Sequence, residues 1–389
     1  MPVQWATCNL QTSQLDALVF LFFSIFAGTN DFKMSSAITS TRIRAFKIIT
    51  VMLGLIVSLL LAEVIYRLYC YSVEKDINAL VRGSRPPINK PAIDLKLGQI
   101  IQFSKFRKVI YELIPNSSYR FMGVPVQTNS KGFRDKETME QKPQRVRRII
   151  GLGDSVMFGW GVGQEENYLA LLEQKLNNLV DSFQYEVVNT GVPGYNTTME
   201  VETLERKFDL SQVSHVILNF VGNDLDLPNF IRKKPDYWTL ENSFILKRFE
   251  SNDGWNGNDN RLQDAPFDNK RKAYMQDLKQ IPEEYRDMVS EDAFHRAMGR
   301  LHALSVQFGF GVTVLSTDQH EPAPDYVQKA CSVNGFSLLE INTSWDKYRQ
   351  ANPDAIWKLK DKDFHPNTTG HQIIAEAMLD FFKSNPVAE

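Results

Sequence analysis

Cysteine is scarce in this chain: Cys8, Cys70 and Cys331 are the only three in 389 residues. They lie far apart, and none belongs to a CxxC or similar pair. That spacing excludes a disulfide framework and the thiolate cage of a structural metal. Cys331 reads as a buried structural thiol. An excess of one charge sign is also missing: 44 Lys and Arg face 46 Asp and Glu, for a formal net charge of −2. No half of the chain reads as a basic surface, so nucleic acid is not an expected partner. Internal repeats and low-complexity tracts are absent as well.

What the chain does have is apolar material. Hydrophobic residues make up 43%, with 25 Phe and 13 Tyr, enough for at least one sizeable core. The strongest apolar run, FKIITVMLGLIVSLLLAEVIYRLY, starts at Phe46 and ends at Tyr69. From Ile48 to Ile65 it is interrupted mainly by Thr50, Ser58 and Glu63. About 20 such residues cross a hydrocarbon core, and a soluble helix of this length normally shows a polar face. Residues 46–69 are therefore expected to form a transmembrane helix. Glu63 and Arg67 would share one helix face at the far interface, with Tyr66 and Tyr69 as interfacial aromatics. Arg42, Arg44 and Lys47 precede the run. By the positive-inside rule, residues 1–45 are expected in the cytoplasm and everything after about residue 70 outside it. No small-residue cleavage site follows soon after the run, which argues against a removed signal peptide. The earlier run from Ala17 to Gly28 is short for a span. Met34 opens a basic leader for the main helix, so translation is expected to start there. Residues 70–144 include the proline-punctuated RPPINKPAI, Arg85 to Ile93, and are expected to be a stalk and lead-in segment.

From Arg145 onward, strand-like and helix-like stretches alternate. Strands are expected over Val146–Gly153, Tyr185–Gly191, His215–Asn223, Gly311–Thr317 and Phe336–Ile341. Helices are expected over Gln164–Leu179, Thr198–Leu210, Glu283–Phe308 and Gly370–Phe382. This alternation predicts a parallel sheet covered on both faces. In such sheets ligands bind beyond the carboxyl ends of the strands. Residues 145–389 are thus expected to form one α/β domain, with an irregular insertion at about 225–283 that includes NDGWNGNDN, Asn252 to Asn260. That insertion reads equally as a cap over the site or as a solvated loop.

Beyond the first three strands lie Asp154-Ser155, Val192-Pro193-Gly194 and Gly222-Asn223-Asp224. A serine at a strand-to-helix turn presents its hydroxyl above the sheet, and its N–H lies where negative charge is favoured. Gly194, without a Cβ, lets its N–H approach a substrate oxygen. The Asn223 amide can donate a hydrogen bond; by itself it also suits a turn. His365 stands in DKDFHPNTTGH, just before the last helix, which Pro366 to Thr369 would turn and cap. Imidazole has the right pKa for a general base near neutrality. His215, His295, His302, His320 and His371 make weaker cases, and His371 suits packing inside the final helix.

The order GDS, GxxG, GND, then a histidine followed by PN and a helix, resembles the SGNH (GDSL-like) hydrolase family. The resemblance covers roughly Arg145 to Phe382, and NSKGFRDKE, Asn129 to Glu137, is similar to the lead-in of membrane-anchored members. It implies a flavodoxin-like three-layer α/β/α sandwich. It also implies Ser155 as nucleophile, His365 as base, and an oxyanion hole from the N–H groups of Ser155 and Gly194 with the amide of Asn223. No metal and no organic cofactor are implied. The family usually has an aspartate three residues before the histidine, where this chain has Lys362. Asp363 is the favoured third member, Asp361 the alternative acid, and a Ser–His dyad helped by a backbone carbonyl stays open. Asp154 is read as a structural partner at the turn. The expected function is hydrolysis of an acyl ester, acetyl or another short chain, on a glycan, lipid or small molecule. An O-acyltransferase on an extracytoplasmic glycan and a non-catalytic membrane-tethered binding domain are the alternatives.

Overall fold

The computed structural model describes residues 39–72, 85–179, 183–233, 238–240, 243–249, 259, 261–318, 321–360 and 363–387. The expectations about Cys8, the run from Ala17 to Gly28 and the start at Met34 lie outside these residues, as does most of Asn252 to Asn260.

A continuous helix runs over Thr39–Ser72. Within it, Phe46–Tyr69 is a 24-residue apolar stretch of mean hydropathy 2.7, long and apolar enough to cross a membrane. At 1.5 Å per residue it spans about 36 Å, against roughly 30 Å of hydrocarbon. Its threonine and serine hydroxyls are satisfied along the helix itself. Thr50 Oγ1 donates to Phe46 O at 2.9 Å and Ser58 Oγ to Gly54 O at 2.8 Å, so neither leaves a polar group unpaired. Glu63 and Arg67 pair at 2.8 Å one turn apart.

The segment expected to be a stalk is folded from residue 85 onward. It contributes β1 (Asn89–Leu95), β2 (Ile101–Phe103), β3 (Tyr111–Leu113), β4 (Ser118–Phe121) and β5 (Val124–Gln127). β1 pairs parallel with β4, β4 antiparallel with β5, and β2 antiparallel with β3. Pro91 lies inside β1, where the register slips between Lys90 and Asp94, because proline has no N–H for the ladder. The correction has a physical cause. Ile100, Tyr111, Leu113, Tyr119, Phe121 and Val126 are all buried, and a stalk would leave them in water. At about 25 cal/mol per Å² of apolar surface, folding them back is favourable.

The chain then lays down β6 (Val146–Leu152), β7 (Gln184–Asn189) and β8 (His215–Phe220). The insertion follows, with β9 (Phe230–Arg232) paired antiparallel to β10 (Leu262–Asp264), and the hairpin of β11 (Phe267–Asp268) and β12 (Ala273–Tyr274). β13 (Gly311–Ser316) and β14 (Ser337–Glu340) complete a five-stranded sheet in the order β14-β13-β8-β6-β7, parallel throughout. Counted along the chain this is the 2-1-3-4-5 order of flavodoxin-like folds.

Both faces of the sheet are covered. Ile150, Val188 and Leu218 face one cluster with the helices Thr197–Lys207, Glu291–Phe308 and Asp325–Asn334. Ile149, Val187 and Ile217 face the other with Tyr168–Asn177, Asn342–Ala351 and Thr368–Ser384. Adjacent residues on one strand enter opposite clusters, as the two-residue period requires. The stretch expected to be helical over Glu283–Phe308 is interrupted. A 3-10 turn ends at Met288, and the helix begins at Glu291 after Ser290, whose φ is 87°. The ends of the insertion do not stand free: Leu227, Ile231, Leu262 and Tyr285 share one apolar cluster with Ile88, Tyr111 and Phe121.

Candidate active site

The expected residues collect beyond the carboxyl ends of β6, β7 and β8. Ser155 opens a single helical turn, Ser155–Phe158, capped by Asp154, whose Oδ1 accepts from Val156 N at 2.9 Å. The turn before it is tight. A Cβ on Gly153 would lie 2.6 Å from Met157 Cβ. Gly194 follows β7 with φ +80°, in the left-handed region that glycine tolerates. A Cβ there would also lie 2.4 Å from Asn229 Cγ. Asn223 lies in the 3-10 turn Gly222–Leu225 after β8. His365 precedes the helix Thr368–Ser384, whose cap Asn367 accepts from Gly370 N at 3.1 Å. A neighbouring strap steadies this loop: Asn367 N donates to Trp357 O at 3.0 Å, and Leu359 N to His365 O at 3.1 Å.

His365 Nε2 lies 2.8 Å from Ser155 Oγ. Its Nδ1 lies 2.6 Å from Asp363 Oδ1, which also accepts from His365 N at 3.0 Å. Serine, imidazole and carboxylate thus form an unbroken chain of hydrogen-bond distances, the geometry by which a base activates a hydroxyl. Asp361, the alternative acid, lies outside the described residues. Asp154 ties the first and third loops together. Its Oδ2 accepts from Ser155 Oγ at 3.1 Å and from Asn223 Nδ2 at 3.1 Å. The serine hydroxyl has one proton and two acceptors, and the contact to His365 is the shorter. Among the described residues, neither Ser155 N nor Gly194 N has a hydrogen-bond partner.

Two further carboxyls are buried behind Asp154, on Asp224 and Glu200. Burial pushes both pKa values well above the carboxylate range; nearby Asp224 and Asp154 add to it for Glu200, and Asp154 and Asp226 for Asp224. Asp224 Oδ2 accepts from Val221 N at 2.9 Å and so braces the Asn223 turn. A cavity of about 210 Å³ has Val156, Phe220, Thr317, Glu321, Lys358 and Phe364 among its lining residues. Val156 follows Ser155 and Phe364 precedes His365 in the chain, while Ser155 and His365 themselves are not among the lining residues.

Sequence reasoning missed two supports. Trp160 lies nearly parallel to His365, with ring centroids 5.1 Å apart and planes 12° apart. Arg134 is buried and donates to Phe158 O at 2.9 Å, Gly159 O at 2.7 Å and Val162 O at 2.6 Å, which fixes the loop that carries Trp160. Burial pushes its pKa down to about 10. The signals were the aromatic in GLGDSVMFGWG and the arginine in NSKGFRDKE, but neither motif shows which loop the side chain meets. The described residues contain no cluster of His, Cys, Asp and Glu able to hold a metal ion.

Residues 152–373 match the model of the GDSL-like Lipase/Acylhydrolase family. No curated protein sequence matches the chain. Solved structures to which the chain shows some likeness include LAE5, an alpha/beta hydrolase enzyme from the metagenome of Lake Arreo, Spain. That likeness has 17% identity and a TM-score of 0.38, and covers 60% of this chain and 94% of that one. A mutant of Axe2, an acetyl-xylooligosaccharide esterase from Geobacillus stearothermophilus, is 14% identical at a TM-score of 0.36, covering 62% and 97%. A lipase/acylhydrolase from Enterococcus faecalis is 13% identical at 0.36, covering 61% and 96%. At these values the likenesses add nothing to the family match.

Proposed function

The chain belongs to the GDSL-like lipase/acylhydrolase family, and from that premise we propose that Ser155, His365 and Asp363 are the working triad of an esterase for short acyl esters. It is a serine hydrolase that acts on ester bonds. The observation that carries the triad is the run from Ser155 Oγ to His365 Nε2 at 2.8 Å and from His365 Nδ1 to Asp363 at 2.6 Å.

Ser155 Oγ attacks the ester carbonyl while its proton moves to His365 Nε2. Asp363 holds the Nδ1–H tautomer and stabilises the imidazolium. The oxyanion is received by the N–H groups of Ser155 and Gly194, which have no other partner, and by the second N–H of the Asn223 amide. The tetrahedral intermediate collapses to an acyl-serine, and His365 delivers the proton to the leaving alcohol. Water then enters by the same route, and the acid is released. The cavity of about 210 Å³, lined in part by Val156 and Phe364, the chain neighbours of Ser155 and His365, supports a short group, since it is smaller than the roughly 300–1,000 Å³ that holds drug-sized ligands. Another hydroxyl in place of water would make the chain an acyltransferase, which product analysis with a glycan acceptor distinguishes.

The test uses the full chain in detergent micelles with p-nitrophenyl acetate, beside Ser155→Ala. Loss of a nucleophile or its base lowers kcat by about 10⁴–10⁶. Wild-type turnover that Ser155→Ala retains would sink the assignment. We also place the helix Phe46–Tyr69 across a membrane with the catalytic domain outside the cytoplasm, on the strength of Arg42 and Arg44 before it and Lys47 at its start. Protease treatment of intact spheroplasts should then degrade the domain; full protection would reverse the orientation.

A further inference from the structure

We propose that the module of β1–β5 is a working part of the catalytic centre, and that Tyr111 on β3 is the positioning residue for the Gly194 N–H. The proposal rests on the reading of Gly194 as an oxyanion donor.

The argument turns on one peptide plane. Tyr111 Oη donates to Pro193 O at 2.9 Å. Pro193 C=O and Gly194 N–H belong to the same peptide unit, which is planar and trans. A hydrogen bond that fixes the carbonyl therefore fixes the direction of the N–H on the opposite side. It also polarises the amide and makes that N–H a better donor. Gly194 needs such a restraint, because glycine has the widest conformational freedom of any residue.

The grip is reciprocal. Tyr195 Oη donates to Tyr111 O at 2.5 Å, and the two rings meet edge to face at 5.4 Å. Both rings are buried. Burial pushes both phenols well above their ordinary pKa, so they stay protonated donors across the working pH range. The same module reaches the histidine. Phe121 on β4 meets Trp160 edge to face at 4.9 Å, and Trp160 in turn lies against His365. Two separate chains of contact thus run from the module, one to the Pro193–Gly194 peptide and one to His365.

The experiment compares full-length wild type with Tyr111→Phe, using an acetate oxo-ester and the matching thionoester. Phenylalanine keeps the ring contacts with Tyr195 and with Phe230 at 5.7 Å, and removes only the hydroxyl. Deleting an oxyanion donor outright costs about 10²–10³ in kcat; loosening one should cost roughly tenfold, with KM changed by less than about twofold. Sulfur accepts hydrogen bonds poorly, so thionoester turnover should fall by less than about twofold. A purely structural defect would slow both substrates alike. An oxo-ester kcat within about twofold of wild type, or equal losses on both substrates, would overturn the proposal. Labelling of Ser155 by a fluorophosphonate separates the two readings. If the wild type is neither labelled nor active, the hydrolase reading itself falls and takes this one with it. If the wild type is labelled and Tyr111→Phe reacts equally fast, only the positioning role is lost.

Discussion

His371 makes the stability of this protein depend on pH in a definite direction. It lies in the helix Thr368–Ser384 with no exposed surface, its ring stacked on Tyr168 at 5.3 Å. Its Nδ1 accepts from Tyr168 N at 3.0 Å, so that nitrogen must be unprotonated. Burial pushes the pKa down to about 3, and the charges of Arg134 and His365 add to the effect. In the unfolded chain a histidine ionises near 6.5. Above that value both states are neutral, and stability is complete. As pH falls below it, the unfolded chain takes up a proton that the native state refuses, and the loss is full only below about 3. Over that interval it reaches about 4–5 kcal/mol, a large share of the roughly 5–15 kcal/mol that holds a domain together. His371→Asn puts a non-titrating acceptor close to the place of Nδ1. It should cost about 1–2 kcal/mol at neutral pH through lost packing, and then lose less on acidification than the wild type. Some slope persists, because burial pushes His215 down to about 4 with the same sign. Urea unfolding of the full chain in micelles, followed by tryptophan fluorescence from pH about 7.5 to 4, measures both curves. Parallel curves would refute the reasoning.

Gly194→Ala should lower kcat by at least about a hundredfold, since the new Cβ meets Asn229 at 2.4 Å and φ is +80°. Adding Asn229→Ala should restore only part of the loss, because the left-handed strain of about 1–2 kcal/mol stays; steady-state kinetics on both variants checks this. Trp160→Leu should reduce kcat about tenfold and Trp160→Phe by less than about threefold, if the flat face against His365 is what matters; equal losses would count against it. Arg134→Met removes three charge-assisted hydrogen bonds to buried carbonyls and should destabilise by about 3–5 kcal/mol, read as a lower urea midpoint.

Much of this was legible in the sequence, for a physical reason. The inner strands β6, β8 and β13 are buried on both faces, so they read as apolar β-rich runs, and the site residues fall where such runs end. The helices Asp325–Asn334 and Asn342–Ala351 were not read. They are short and polar on their outer faces, and Trp345 is the only buried residue in the second. The module before residue 145 was misread because its strands are three to seven residues long, and prolines at 86, 87 and 91 imitate an extended spacer. Its apolar residues find their partners far along the chain, which local pattern cannot reveal. Tyr111 and Arg134 escaped for the same reason: each acts by gripping a main-chain carbonyl, and carbonyls carry no signature in sequence.

The cluster that joins Ile88, Phe121 and Val126 to Ile281, Tyr285 and Val289 also sets the order in which the protein can be made. The first three leave the ribosome about 155 to 200 residues ahead of the last three. At about 5–20 residues per second, that is a delay of roughly eight to forty seconds. During it, the early strands are without the surface that covers them. The interval is long enough for a chaperone to bind or a protease to cut, and truncations that keep only residues 145 onward should inherit the converse defect, a late surface with nothing to receive it.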